Sequence, residues 1–172
     1  MKMVLFHARI CREDADFARC MTFLLETKRT ADPGLRTADA YAAMLRILTY
    51  GTLLRYEDER GDIIGIVGYT LGSPHLDYED RQVAYVEYCL MPVSRQHTRF
   101  FPKGFGVLVR TIRERHPEAV RLSLAAAEDH RRNNRLYAKF AKPAGRIVHP
   151  ELVMNLYSAT LEEACEYAEK FD

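Results

Sequence analysis

Several features that announce common protein functions are missing from this 172-residue sequence. There is no excess of one charge: 25 Lys and Arg stand against 24 Asp and Glu, a net charge of +1, which excludes a strongly basic nucleic-acid binder. No run of about eighteen apolar residues occurs, so no membrane span is expected. The stretch Val4-Leu5-Phe6 behind Met1 is too brief for a signal peptide. The four cysteines (Cys11, Cys20, Cys89, Cys165) form no CxxC pair, and the six histidines form no HxxxH or HxH pair. Neither a disulfide framework nor a metal site is expected, and the thiols point to a reducing, cytoplasmic setting. Repeats, low-complexity tracts and Pro/Gly/Ser-rich linkers are absent too. What is present is 48% hydrophobic and 28% charged residues, enough for one core, so a single domain over residues 1–172 is expected.

The apolar spacing gives an element order. Val4 to Ile10 reads as a strand. Asp14 to Lys28 reads as an amphipathic helix carrying Phe17, Cys20, Met21, Leu24 and Leu25, and the Asp-Pro-Gly chemistry of residues 30–34 makes a turn. A second helix runs from about Thr37 to just before Gly51, with Tyr41, Met44, Leu45 and Leu48 on one apolar face. The period then becomes two, with strands at Leu53 to Tyr56, Ile63 to Leu71 and Gln82 to Met91. A helix over Gly104 to His116 puts Phe105, Leu108, Val109 and Ile112 inward and Arg110, Arg113 and Arg115 outward. A strand at Val120 to Ala126 and a helix at Arg131 to Phe140 follow. Strands at Arg146 to His149 and Leu152 to Ala159, then a tail helix at Leu161 to Phe171, close the chain. The order is β-α-α-β-β-β-α-β-α-β-β-α.

A strand ending at Pro92, followed by a helix that starts on Gly104 and Gly106, would turn backbone amides and the positive helix end toward an anion. Lys103 adjoins those amides. Arg95 and Arg99 precede them, and Arg131, Arg132, Arg135, Lys139 and Lys142 form a second basic group. Plainer uses stay open for these residues. Gly-x-Gly also serves a turn or close packing, Leu136, Tyr137 and Phe140 fit a core stripe, and Glu87 would suit an ion pair with a nearby arginine. Cys89 reads as a strand cysteine rather than a nucleophile, since no His or Asn spacing around it indicates activation.

In this element order, Val86-Glu87-Tyr88-Cys89-Leu90-Met91-Pro92, Pro102-Lys103-Gly104-Phe105-Gly106 and Leu136-Tyr137-Ala138-Lys139-Phe140 resemble the GCN5-related N-acetyltransferase (GNAT) superfamily over nearly the whole chain. The resemblance implies a mixed α/β (α+β) acyl-CoA N-acyltransferase fold, with a central, mostly antiparallel twisted sheet flanked by helices. It implies transfer of an acetyl group from acetyl-CoA, as cosubstrate, to a primary amine by direct attack. Cys89, Leu90 and Met91 would hold the acetyl carbonyl and pantetheine through the backbone, and Lys103, Gly104, Phe105 and Gly106 the pyrophosphate. Glu87 would take the amine's proton, often through water, and Tyr137 would protonate the leaving thiolate.

The sequence departs from the family pattern at three places, of which the first and the last favour an alternative, a non-catalytic acyl-CoA-binding or regulatory module of the same fold. Phe101 stands where Gln or Arg is usual, His130 where Asn is frequent, and Ala141-Lys142 where Gly-Phe follows the helix. The resemblance frames the acceptor with Glu26 to Arg36 and with the loop near Val148 to Leu152; the first of these mixes both signs of charge and selects no substrate charge. No membrane or nucleic-acid partner is expected, and a monomer and a homodimer both stay open.

Overall fold

A computed structural model describes residues 5–171. Among them are seven strands in the order β1-β2-β3-β4-β5-β7-β6 and five α-helices, the mixed and mostly antiparallel architecture expected. The strands are β1 (His7–Ile10), β2 (Gly51–Glu57), β3 (Ile63–Leu71), β4 (Val83–Leu90), β5 (Arg121–Ala127), β6 (Lys142–His149) and β7 (Leu152–Thr160). The helices are α1 (Asp14–Ala31), α2 (Thr37–Tyr50), α3 (Phe100–Arg115), α4 (Arg131–Tyr137) and α5 (Leu161–Glu169). Val4, at the start of the expected first strand, and Asp172 lie outside the described residues. No helix among the described residues is long and apolar enough to cross a membrane.

Two compact units form, each from two stretches of chain. The first takes residues up to Thr70 and Glu87–Leu108. Here β1, β2 and β3 form an antiparallel meander, with His7 opposite Glu57 and Leu54 opposite Val67. Cys20 and Leu24 of α1, and Ala40, Met44 and Ile47 of α2, pack with Leu53, Ile66 and Leu90. Helix α1 runs three residues past the expected Lys28, to Ala31. It stops at Asp32, whose helical conformation the following Pro33 disfavours on steric grounds.

The buried side of α2 differs from the expected one. Ala40, Ala43, Met44 and Ile47 are buried, while Tyr41, Leu45 and Leu48 are 61%, 52% and 48% exposed. Small residues allow close approach, and Ile47 fills the space that a side chain at Gly68 of β3 would take, its Cδ1 2.2 Å from the position of a Cβ there. Tyr41, Leu45 and Leu48 instead line an open groove of about 210 Å³ with Phe17, Ala18 and Met21.

The second unit takes Leu71–Val86 and the residues from Val109 onward. In it β4 pairs in parallel with β5, from Val83 opposite Arg121 to Val86 opposite Leu124, and β5, β7 and β6 pair antiparallel. Thr160 caps α5: its hydroxyl accepts the Glu163 amide at 3.0 Å, while the Glu163 carboxylate accepts the Thr160 amide at 2.9 Å.

Candidate active site

Glu87 sits in the first unit on the late half of β4, with a side chain only 3% exposed. Arg46 of α2 grips it with two parallel hydrogen bonds, Nε to Oε1 at 3.0 Å and Nη2 to Oε2 at 3.1 Å. Such a fork is among the stronger charge-assisted pairs. Burial pushes the Glu87 carboxyl above the usual carboxylate range, and the Arg46 charge pulls against that rise. The ion pair that the residue pattern left open is therefore present.

Beyond Glu87, Tyr88 and Leu90 pack on the α1–α2 cluster, Cys89 is partly exposed and Met91 is buried. Phe100, the first residue of α3, lies against β3 where Gly65 leaves room. A Cβ at Gly65 would stand 2.8 Å from the Phe100 ring. Glycine inside a strand commonly marks such an approach.

Helix α3 begins at Phe100, not at Gly104 as expected, so Gly104 and Gly106 fall in its second turn rather than at its mouth. Two residues explain the earlier start. Thr98 accepts the Phe100 amide on Oγ1 at 3.1 Å, and Pro102 fits a first helical turn because its missing N–H would have no helical partner there. The Lys103 amide is already used, donating to the Arg99 carbonyl at 3.2 Å. The Tyr56 hydroxyl donates to the Gly104 carbonyl at 2.8 Å, and burial raises its pKa. Phe101, at the position of the usual Gln or Arg, stacks on Phe105 with 5.8 Å between ring centroids.

Glu87, Cys89, Leu90, Met91 and Lys103 to Gly106 thus share one unit, whereas Tyr137 belongs to the other. Tyr137 is buried at the end of α4, with its ring against Tyr157 at 5.9 Å and Phe140 at 6.2 Å. His130 does what a capping Asn would do: its Nδ1 accepts the Asn133 amide at 3.2 Å.

Periodicity alone did not reveal Asn134, which ties α4 to two strands. Its amide nitrogen donates to the Ala127 and His130 carbonyls at 2.8 and 2.9 Å. Its oxygen accepts from Asn155 Nδ2 at 2.9 Å and from the Tyr157 hydroxyl at 2.8 Å. Arg46 was also missed, and it did leave a signal: it is the one charged residue in the apolar run Ala42 to Leu48.

No protein-family model matches the sequence, and a search of curated proteins gives no match. Solved structures do match. The aminoglycoside acetyltransferase AAC(6')-Ib, in complex with coenzyme A and kanamycin, superposes with a TM-score of 0.67 at 17% identity, over 92% of this chain and 96% of the other. Ribosomal-protein-S5-alanine acetyltransferase from Vibrio fischeri gives a TM-score of 0.65 at 12% identity, over 94% and 96%. A GNAT-family acetyltransferase from Staphylococcus aureus gives 0.67 at 11% identity, over 90% and 99%. Element order, strand order and these superpositions agree, and the chain has the fold of the GNAT superfamily of acetyltransferases.

Proposed function

We propose that this protein is an N-acetyltransferase, a single functional domain that moves an acetyl group from acetyl-CoA to a primary amine in the cytoplasm. The observation that carries the proposal is the buried, ionisable carboxylate of Glu87 on β4, in a fold shared with an acetyltransferase solved with coenzyme A. An amine arrives protonated near neutral pH, and a carboxylate of raised pKa is a better proton acceptor than an ordinary one.

The start of α3 supports a phosphate-binding role. Lys103 is partly exposed in the first turn of a 16-residue helix, at its positive end. A Cβ at Gly104 would meet nothing closer than the Tyr56 ring at 3.5 Å, an ordinary contact. Gly104 itself is buried, with its carbonyl taken by the Tyr56 hydroxyl, so the support for phosphate binding here is the Lys103 charge beside the positive end of the helix.

Acetyl-CoA would supply the thioester, and the chain's own residues handle the protons. Glu87 takes one proton from the ammonium, freeing the lone pair that forms the C–N bond. Backbone amides among Cys89, Leu90 and Met91 hold the carbonyl oxygen as it gains charge. Tyr137 gives its phenolic proton to the sulfur as the C–S bond breaks, and the second nitrogen proton restores the phenol. One proton is released overall.

Titration calorimetry with acetyl-CoA tests the reading, with saturable binding expected. No heat of binding at high micromolar coenzyme would overturn it. The Phe101–Phe105 stack, where the phosphate loop usually carries Gln or Arg, favours the second reading, a non-catalytic acyl-CoA-binding module. Binding of acetyl-CoA without turnover across a broad panel of primary amines would select that one.

A further inference from the structure

We propose that Arg46 is a positioning residue for Glu87, fixing the direction of its carboxylate and keeping it ionised between turnovers. This rests on the reading of Glu87 as the proton acceptor. The geometry is the main support. Both carboxylate oxygens are engaged by one guanidinium, in two bonds of 3.0 and 3.1 Å. A single-point contact would leave the carboxylate free to swing, whereas a planar fork sets its plane and its distance from α2.

Burial supplies the second support. Desolvation favours the protonated form of a carboxylate whose side chain is 3% exposed, and a neighbouring positive charge opposes it. The charged side chain acting on it among the described residues is Arg46. Behind Arg46 on α2 stands Asp39, which feels the same guanidinium but is held by Arg36 at 2.7 and 3.0 Å. Along β4 the neighbouring titratable groups are Tyr85, Tyr88 and Cys89. None of these supplies a positive charge, so no neighbour on α2 or β4 replaces Arg46.

The placement of Arg46 fits this use. It rises from the helix whose other side holds the core through Ala40, Met44 and Ile47, so its backbone is anchored. Its side chain is 38% exposed, against 3% for Glu87. Lysine could supply the charge but not the fork.

A carboxyl-carbon NMR titration of the full chain tests this, with the Glu87 signal assigned by its loss in Glu87→Gln. Arg46→Met is expected to move the Glu87 midpoint up by about one pH unit or more, and Arg46→Lys by about half as much. Acetyl transfer to any amine accepted from the panel should show the same shift in its acid limb, with a lower kcat and an unchanged KM for acetyl-CoA. A midpoint that stays put in Arg46→Met overturns the proposal. Should Arg46→Met fail to fold, an unmoved midpoint in Arg46→Lys overturns it equally. Full turnover in Glu87→Gln has a separate meaning: it removes the base role itself, while the NMR shift would still report the grip of Arg46.

Discussion

Replacing Gly65 with alanine should displace the start of α3 and weaken acetyl-CoA binding from a position inside β3. The added Cβ would stand 2.8 and 2.9 Å from two carbons of the Phe100 ring. Carbon atoms pack favourably at about 3.5–4.0 Å, so the ring must retreat by somewhat under about 1 Å. It has nowhere open to go. Phe100 is 2% exposed, and its ring is met edge-to-face by Phe6 at 5.3 Å and Tyr56 at 5.7 Å. Because Phe100 is the first residue of α3, its retreat is passed to the turn that carries Lys103 and Gly104. The Tyr56 hydroxyl bond to Gly104 registers the same movement.

Overpacking of this kind costs about 1–3 kcal/mol. Urea unfolding of Gly65→Ala should therefore show a loss of about 2 kcal/mol, and calorimetry a weaker affinity for acetyl-CoA. Phe100→Leu alone should cost about 1–2 kcal/mol through lost apolar contact. Combined with Gly65→Ala it makes room for the new methyl group. The double variant should then be more stable than the sum of the single losses by about 1 kcal/mol. Losses that simply add, within about 0.5 kcal/mol, would refute the steric reasoning.

The remaining predictions concern the site more directly. Asn134→Ala removes four hydrogen bonds and leaves strand and helix groups unpaired, and urea unfolding should show a loss of about 2–4 kcal/mol. A loss under about 0.5 kcal/mol would show that the network is dispensable. Tyr137→Phe should lower kcat by about a hundredfold at unchanged acetyl-CoA affinity, and full turnover would remove its acid role. The folded-state pKa of Glu87 is raised, so turnover that needs its carboxylate is present above that value and fades as pH falls through it. A pH–rate profile should bend at a pH above the ordinary glutamate value of about 4.3, and a rate that stays flat down to that pH would contradict the base role.

The sheet was readable because its signals are local. β2 and β3 lie on either side of a polar turn, β3 as a nearly unbroken apolar run, and Pro92 ends the run that contains β4. Each glycine inside β3 also has a partner: Gly65 accommodates Phe100 of α3, and Gly68 accommodates Ile47 of α2. Three residues apart on a strand, they face opposite sides, and one strand is thereby cut to receive two helices. The helices were harder to read. Large apolar residues drew attention to Tyr41, Leu45 and Leu48, while the face that packs carries Ala40 and Ala43, whose small side chains let Ile47 reach Gly68. Gly104 and Gly106 drew the start of α3 four residues too late, although Pro102 is a first-turn residue and Thr98 can cap. Arg46 marks where reading by pattern stops. A charge amid Ala42 to Leu48 requires a partner, but the sequence offers only the donor, because its acceptor lies 41 residues along the chain. Glu87 has the same gap from the other side, as an acid in a strand with nothing nearby in sequence to say whether it faces water or a cation. Only folding joins the two, and that pairing, more than either residue type, determines whether the carboxylate on β4 can hold and release a proton.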